Sequence, residues 1–104
     1  MQETSIHYLE ERRSRDAFIN ETIGTGSIID SFIVDRGHPG GAEIHSVTDT
    51  AIILIHNLST HKLITELIAR PEQIRRLYRL ADKKPPNKIL KLAYKHNAER
   101  YNEM

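Results

Sequence analysis

The stretch S-I-I-D-S-F-I-V-D-R (27–36), G-H-P-G-G (37–41), A-E-I-H-S-V-T (42–48), D-T (49–50), A-I-I-L-I-H (51–56), N-L-S-T-H (57–61), K-L-I-T-E-L-I-A-R (62–70) decides the fold of this 104-residue chain. Four runs rich in Ile, Val, Leu and Phe are separated by Gly, Pro, Asn and Asp punctuation, the pattern of strands joined by turns. In the first run Ile28, Phe32 and Val34 share one face, and Ile29, Ser31, Ile33 and Asp35 the other. In the second, Glu43, His45 and Val47 lie opposite Ile44 and Ser46. The third run, Ala51–His56, is apolar on both faces and reads as a central, buried strand. In the fourth, Leu63, Thr65, Leu67 and Ala69 oppose Lys62, Ile64, Glu66, Ile68 and Arg70. Connections this short fit antiparallel neighbours, so the runs predict a meander.

The flanks read as helices. Residues 4–22 carry a rough apolar stripe, with Thr4 or Ser5 as cap and G-T-G (24–26) as terminator. Pro71 suits the first turn of a helix running to Ala81, with Ile74, Leu77, Tyr78 and Ala81 as its apolar stripe. D-K-K-P-P (82–86) ends it. Asn87–Glu103 predicts a last helix with Leu90, Ala93, Tyr94, Asn97 and Tyr101 on one side. The expected fold is therefore α+β: an N-terminal helix, a four-stranded antiparallel β-sheet meander and two C-terminal helices. Residues 1–104 form one domain.

Composition narrows the function classes. The chain has no cysteine, which removes disulfides, thiolate nucleophiles and thiolate metal sites. No apolar run approaches the ~20 residues that span a bilayer, and the N-terminus lacks the basic-then-apolar order of a signal peptide. A cytoplasmic protein without membrane contact is expected. Hydrophobic residues make up 38% of the chain, so the core is thin and completion by a homodimer is a natural expectation. There is no P-loop, dinucleotide fingerprint or G-x-S-x-G elbow, and no cofactor is expected. The net charge of +1 hides an asymmetry: residues 1–61 hold four Lys/Arg against nine acids, and residues 62–104 eleven against five. A basic C-terminal half suits RNA or another polyanion, although two oppositely charged halves can also simply pack together.

The chemistry concentrates in D-R-G-H-P-G-G-A-E-I-H (35–45). Glu43 and His45, two apart on a strand, leave the same face, and a carboxylate beside an imidazole makes an oriented base. His38 sits in a Gly/Pro turn, a common place for a catalytic side chain. Arg36 and Arg70 end the first and fourth strands, where a guanidinium can clamp phosphate in two-point fashion. Each has an ordinary reading as well: a solvated pair on an exposed sheet face, a plain turn, and an Arg70–Glu66 ion pair. His38, Glu43 and His45 would also supply two imidazoles and a carboxylate to a metal, but no spacing matches a strong zinc motif, and no metal is expected. His7 and His96 read as incidental. Arg75, Arg76, Arg79, Lys88, Lys91 and Lys95 lie on the terminal helices, where they can follow a nucleic-acid backbone. Tyr78, Tyr94 and Tyr101 interleave with them, and core packing is the expected role of the first two.

The run from F-I-V-D-R-G-H-P-G-G-A-E-I-H through A-I-I-L-I-H-N and L-I-A-R-P-E-Q-I-R-R-L-Y resembles small phage-associated domains. Those look related to the barnase–EndoU–colicin–RelE ribonuclease superfamily. The resemblance covers about residues 27–79. It implies one or two helices leading into a four-stranded antiparallel sheet, and metal-independent RNA cleavage by residues on that sheet. Matched residue by residue, H-P-G-G-A-E-I-H offers His38, Glu43 and His45, while S-V-T and L-I-A-R-P offer Thr48 and Arg70. His56 departs from the pattern, standing where an aromatic is expected. The implied mechanism has His45 take the ribose 2′-OH proton, with Glu43 orienting it. His38 protonates the leaving oxygen, and Arg70 with Arg36 holds the phosphate, giving a 2′,3′-cyclic phosphate. A toxin or phage effector of this kind implies a protein inhibitor or antitoxin as partner. The alternative is a non-catalytic phage or mobile-element adaptor that binds nucleic acid or a protein through Arg75, Arg76, Lys88 and Lys91.

Overall fold

The computed structural model describes residues 23–37 and 39–102. The expected N-terminal helix over residues 4–22 and the side chain of His38 lie outside them. The described chain runs β1 (Ile28–Val34), β2 (Glu43–Thr48), β3 (Ile52–Asn57), β4 (Leu63–Ile68), α1 (Pro71–Leu80) and α2 (Asn87–Asn102). The strands form one antiparallel sheet in the order β1-β2-β3-β4. The architecture is α+β, with the meander that the short connections dictate. No helix among the described residues is long and apolar enough to cross a membrane.

Both helices pack on one sheet face. Phe32, Val47, Ile53, Ile55 and Ala69 rise from the sheet to meet Ile74, Leu77 and Tyr78 of α1 and Ile89 and Ala93 of α2. Each large side chain buried here contributes about 1.5–3 kcal/mol. A smaller cluster on the opposite face joins Ile52 and Ile68 with Ile23 and Leu54. The two-sided burial of β3 explains its unbroken apolar run.

Two register shifts modify the simple alternation. One lies between Ile28 and Asp30, so Ile28 leaves the Phe32–Val34 row and is exposed. The other lies between Ile55 and His56, whose partners on β4 are Thr65 and Leu63. That bulge makes Ile64 the extra residue and re-aims it.

Helix α1 follows its sequence signals. Pro71 stands at its start, and the Gln73 side chain accepts a hydrogen bond from the Arg70 N–H at 2.9 Å. Ile74, Leu77 and Tyr78 are buried, while Arg75, Arg76 and Arg79 face outward. Tyr78 stacks edge-on against Phe32, with centroids 4.9 Å apart, and donates its hydroxyl to Asp30. Lys83, just past the helix, reaches the same carboxylate at 3.6 Å. These contacts fasten the C-terminal end of α1 to β1.

Helix α2 is turned about one residue from the expected face. Its inward stripe is Ile89, Ala93 and His96, and Tyr94 stands out at 55% exposure. The stripe is set by polar anchors as well as apolar ones. His96 Nε2–H donates to the Thr50 carbonyl at 3.1 Å, and Asn97 donates to the Ala69 carbonyl at 2.8 Å. His96 is thus a buried structural residue, not an incidental one. Counting apolar side chains alone could not find a stripe that ends in a histidine.

Candidate functional site

Alternation along β2 sends Glu43, His45 and Val47 to the same side, and that side is the one the helices cover. His45 is 5% exposed, not solvated on an open sheet face. Its Nε2–H donates to Glu43 Oε1 at 3.0 Å, and the Glu43 side chain retains 28% exposure. A neutral imidazole in this tautomer presents Nδ1 as its basic nitrogen.

The pair opens into a cleft of about 310 Å³ between the sheet and the flank of α1. Its floor is apolar, made by Ile53, Ile55 and Leu67. Thr65 comes from β4, on the register row that runs from His45 through Ile55. The β4 bulge brings Ile64 in beside it. From α1 come Gln73, Arg76 and Leu77, one helical turn apart on one flank. Arg36 enters from the end of β1. Among the described residues neither Arg36 nor Arg76 forms an ion pair with a carboxylate. Two guanidiniums therefore line the same cleft as one carboxylate that is already bonded to an imidazole.

The turn that carries Arg36 is tied down by short polar contacts. The Gly37 N–H donates to Asp35 Oδ1 at 2.9 Å, and Asn57 Nδ2 donates to the Gly40 carbonyl at 3.0 Å. The Leu58 N–H closes the base on the Ala42 carbonyl at 3.0 Å. An anchored turn holds an exposed arginine at lower entropic cost than a free loop does.

The structure brings together Glu43, His45, Arg36 and Arg76, and separates the other expected residues from them. Arg70 is exposed at the start of α1 and does not line the cleft. Arg76, expected on the outer basic face of the helix, lines the cleft together with Arg36. Arg70 precedes α1 as its N-cap with an exposed side chain, whereas Gln73, Arg76 and Leu77 of the helix line the cleft.

Thr48 does not line the cleft. It is fully buried, and its Oγ1 accepts the Ile52 N–H at 3.1 Å while bonding the Thr50 hydroxyl at 3.0 Å. The hydroxyl stabilises a tight β2–β3 turn in which Ala51 takes a φ of 63°. It is spent on that turn and closed to a phosphate. His56 pairs with Ile44 and Leu63 on the opposite sheet face, away from the cleft. Arg75 donates to the Tyr94 hydroxyl at 3.0 Å. Lys88 and Lys91 are exposed along α2, outside the cleft. No group of three His, Asp or Glu side chains among the described residues is placed to hold a metal ion.

Thr65, Gln73 and Ile64 are the cleft residues that the sequence reading passed over. Thr65 was within reach, because an antiparallel register links it to His45 through Ile55. Ile64 was not, because a bulge leaves no signature in a run as uniform as K-L-I-T-E-L-I.

Comparison with protein-family models, with curated proteins and with solved structures gives no match for this chain.

Proposed function

We propose that this protein is a metal-independent endoribonuclease whose active site is the His45–Glu43 cleft. One observation carries the reading: a carboxylate-bonded imidazole opens into the same cleft as two arginines that have no carboxylate partner among the described residues. Phosphodiester cleavage by an internal hydroxyl needs those parts. A base must take the proton, and fixed positive charge must meet the phosphorane as it forms.

In the proposed reaction His45 Nδ1 accepts the ribose 2′-OH proton, and Glu43 holds the ring and stabilises the imidazolium. The 2′-oxygen bonds to phosphorus, and the bond to the 5′-oxygen breaks. Arg36 and Arg76 carry the charge on the non-bridging oxygens, and guanidinium geometry suits two-point contact there. His38, two residues past Arg36, is assigned the proton for the leaving 5′-oxygen on sequence grounds. The products are a 2′,3′-cyclic phosphate and a free 5′-hydroxyl.

One observation favours a second reading, a non-catalytic RNA-binding module. A histidine only 5% exposed gives a ribose little room to reach its ring. A DNA oligonucleotide carrying a single ribose separates the two. The nuclease cuts it once, on the 3′ side of that ribose, and leaves a cyclic phosphate. Cuts elsewhere, or none from folded protein that binds the strand, contradict the internal-hydroxyl chemistry.

A further inference from the structure

We propose that the outer face shared by α1 and α2 is a docking strip for single-stranded RNA, with Tyr94 as the platform on which one base stacks. The inference rests on the ribonuclease reading for the identity of the strand. Tyr94 is 55% exposed, yet it is not loose. The Arg75 guanidinium lies 5.8 Å from its ring centroid and donates to its hydroxyl at 3.0 Å. Arginine on one ring face leaves the other for a ligand, and a ring fixed in advance loses little entropy when it is covered.

The surroundings select the partner. Lys91 precedes Tyr94 by one helical turn, and Arg79 follows Arg75 by one turn; both are exposed. Cations flanking an upright aromatic ring match a strand with charged phosphates and unstacked bases. A duplex would offer only the phosphates. Arg75 and Arg79 are exposed on the same helix as Arg76, which lines the cleft. A strand with its scissile phosphate between Arg36 and Arg76 would lay its neighbouring nucleotides along Arg75 and Tyr94. Among the described acids on these helices, Glu99 lies 4.0 Å from Lys95 and Glu72 sits in the first turn of α1.

The test is fluorescence anisotropy with a labelled 2′-O-methyl RNA strand, which cannot be cleaved by its own 2′-oxygen. An abasic strand of the same length and a duplex are compared with it. Wild-type protein should bind the base-bearing strand about 10-fold more tightly than the abasic one, the worth of about one stacked base. Tyr94→Leu should erase that preference and leave the abasic affinity in place, and Tyr94→Phe should keep most of it. Equal binding of the two strands by wild type, a preference that survives Tyr94→Leu, or a duplex bound as tightly as the strand would each overturn the strip. Cleavage is not read in this assay. A protein that binds through Tyr94 but never cuts RNA sinks the catalytic reading alone, and one that cuts without preferring bases sinks the strip alone.

Discussion

His45 and Glu43, two residues apart on β2, are joined Nε2 to Oε1 at 3.0 Å on the sheet face that the helices cover. Burial of the imidazole sets this pair apart from the same two residues on a wet surface. Glu43→Gln keeps the shape and removes the charge that holds the imidazolium. It should lower kcat for RNA cleavage about 100-fold or more, while the denaturation midpoint moves little. Single-turnover kinetics beside a denaturant titration check both halves.

In the proposed reaction Arg36 and Arg76, which line the same cleft, act together on the phosphate. Alanine at either position should weaken binding of an uncleavable RNA strand and lower the slope of log affinity against log salt by about 1. Arg70→Ala, which removes a side chain that does not line the cleft, should weaken binding less than Arg76→Ala does. Anisotropy titrations over a range of salt concentrations distinguish the two. Equal losses at Arg70 and Arg76 would place the phosphate elsewhere.

Much of the fold was legible because period and punctuation agreed: apolar alternation marks the strands, and Pro71 and Pro85–Pro86 bracket α1. The site was legible in part. His45 and Glu43 share a face by alternation alone, but which face is covered depends on helices that arrive later in the chain. Arg76 lines the cleft and Arg70 does not, because a strand's end and a helix's overlap are set by the connecting angle, which local sequence does not encode. Thr48, offered as a ligand by the resemblance, is buried in a turn whose internal hydrogen bonds leave no mark in the string of letters. Tyr94 and His96 exchange their expected places because the inner stripe of α2 is fixed by the Thr50 and Ala69 carbonyls.

Tyr78 predicts a pH dependence. Its burial, and then its bond to the Asp30 carboxylate, push its phenol well above the usual 10.0. In the unfolded chain the phenol ionises near pH 10, so above that the unfolded state binds fewer protons than the folded one. Stability contributed by the protonated phenol is complete below pH 10 and falls as pH rises beyond it. Denaturant midpoints at about pH 9 and pH 11 should drop more for wild type than for Tyr78→Phe. At neutral pH the variant should lose about 1–2 kcal/mol.

Gly26 predicts a coupled pair. It holds a φ of 76°, and a Cβ there would lie 2.2 Å from Asp49 Oδ1, the atom that accepts the Ser27 N–H at 2.9 Å. Gly26→Ala should cost about 2 kcal/mol, through left-handed strain together with the clash. In an Asp49→Ala background the clash is gone and only the strain and the nearby Thr50 contact remain, so the same change should cost less. A double-mutant cycle by chemical denaturation reads the difference. Strict additivity would show that the Asp49 carboxylate does not pack on this turn.

In the proposed reaction the His45 cleft cuts RNA without metal. Single-stranded RNA incubated in excess EDTA with wild type and with His45→Gln, both verified as folded, tests it most directly. Wild type should cleave at a rate that chelation does not slow, and the variant should lose at least 100-fold. Cleavage that His45→Gln leaves untouched, or RNA that stays intact with folded wild-type protein, would contradict the proposed reaction.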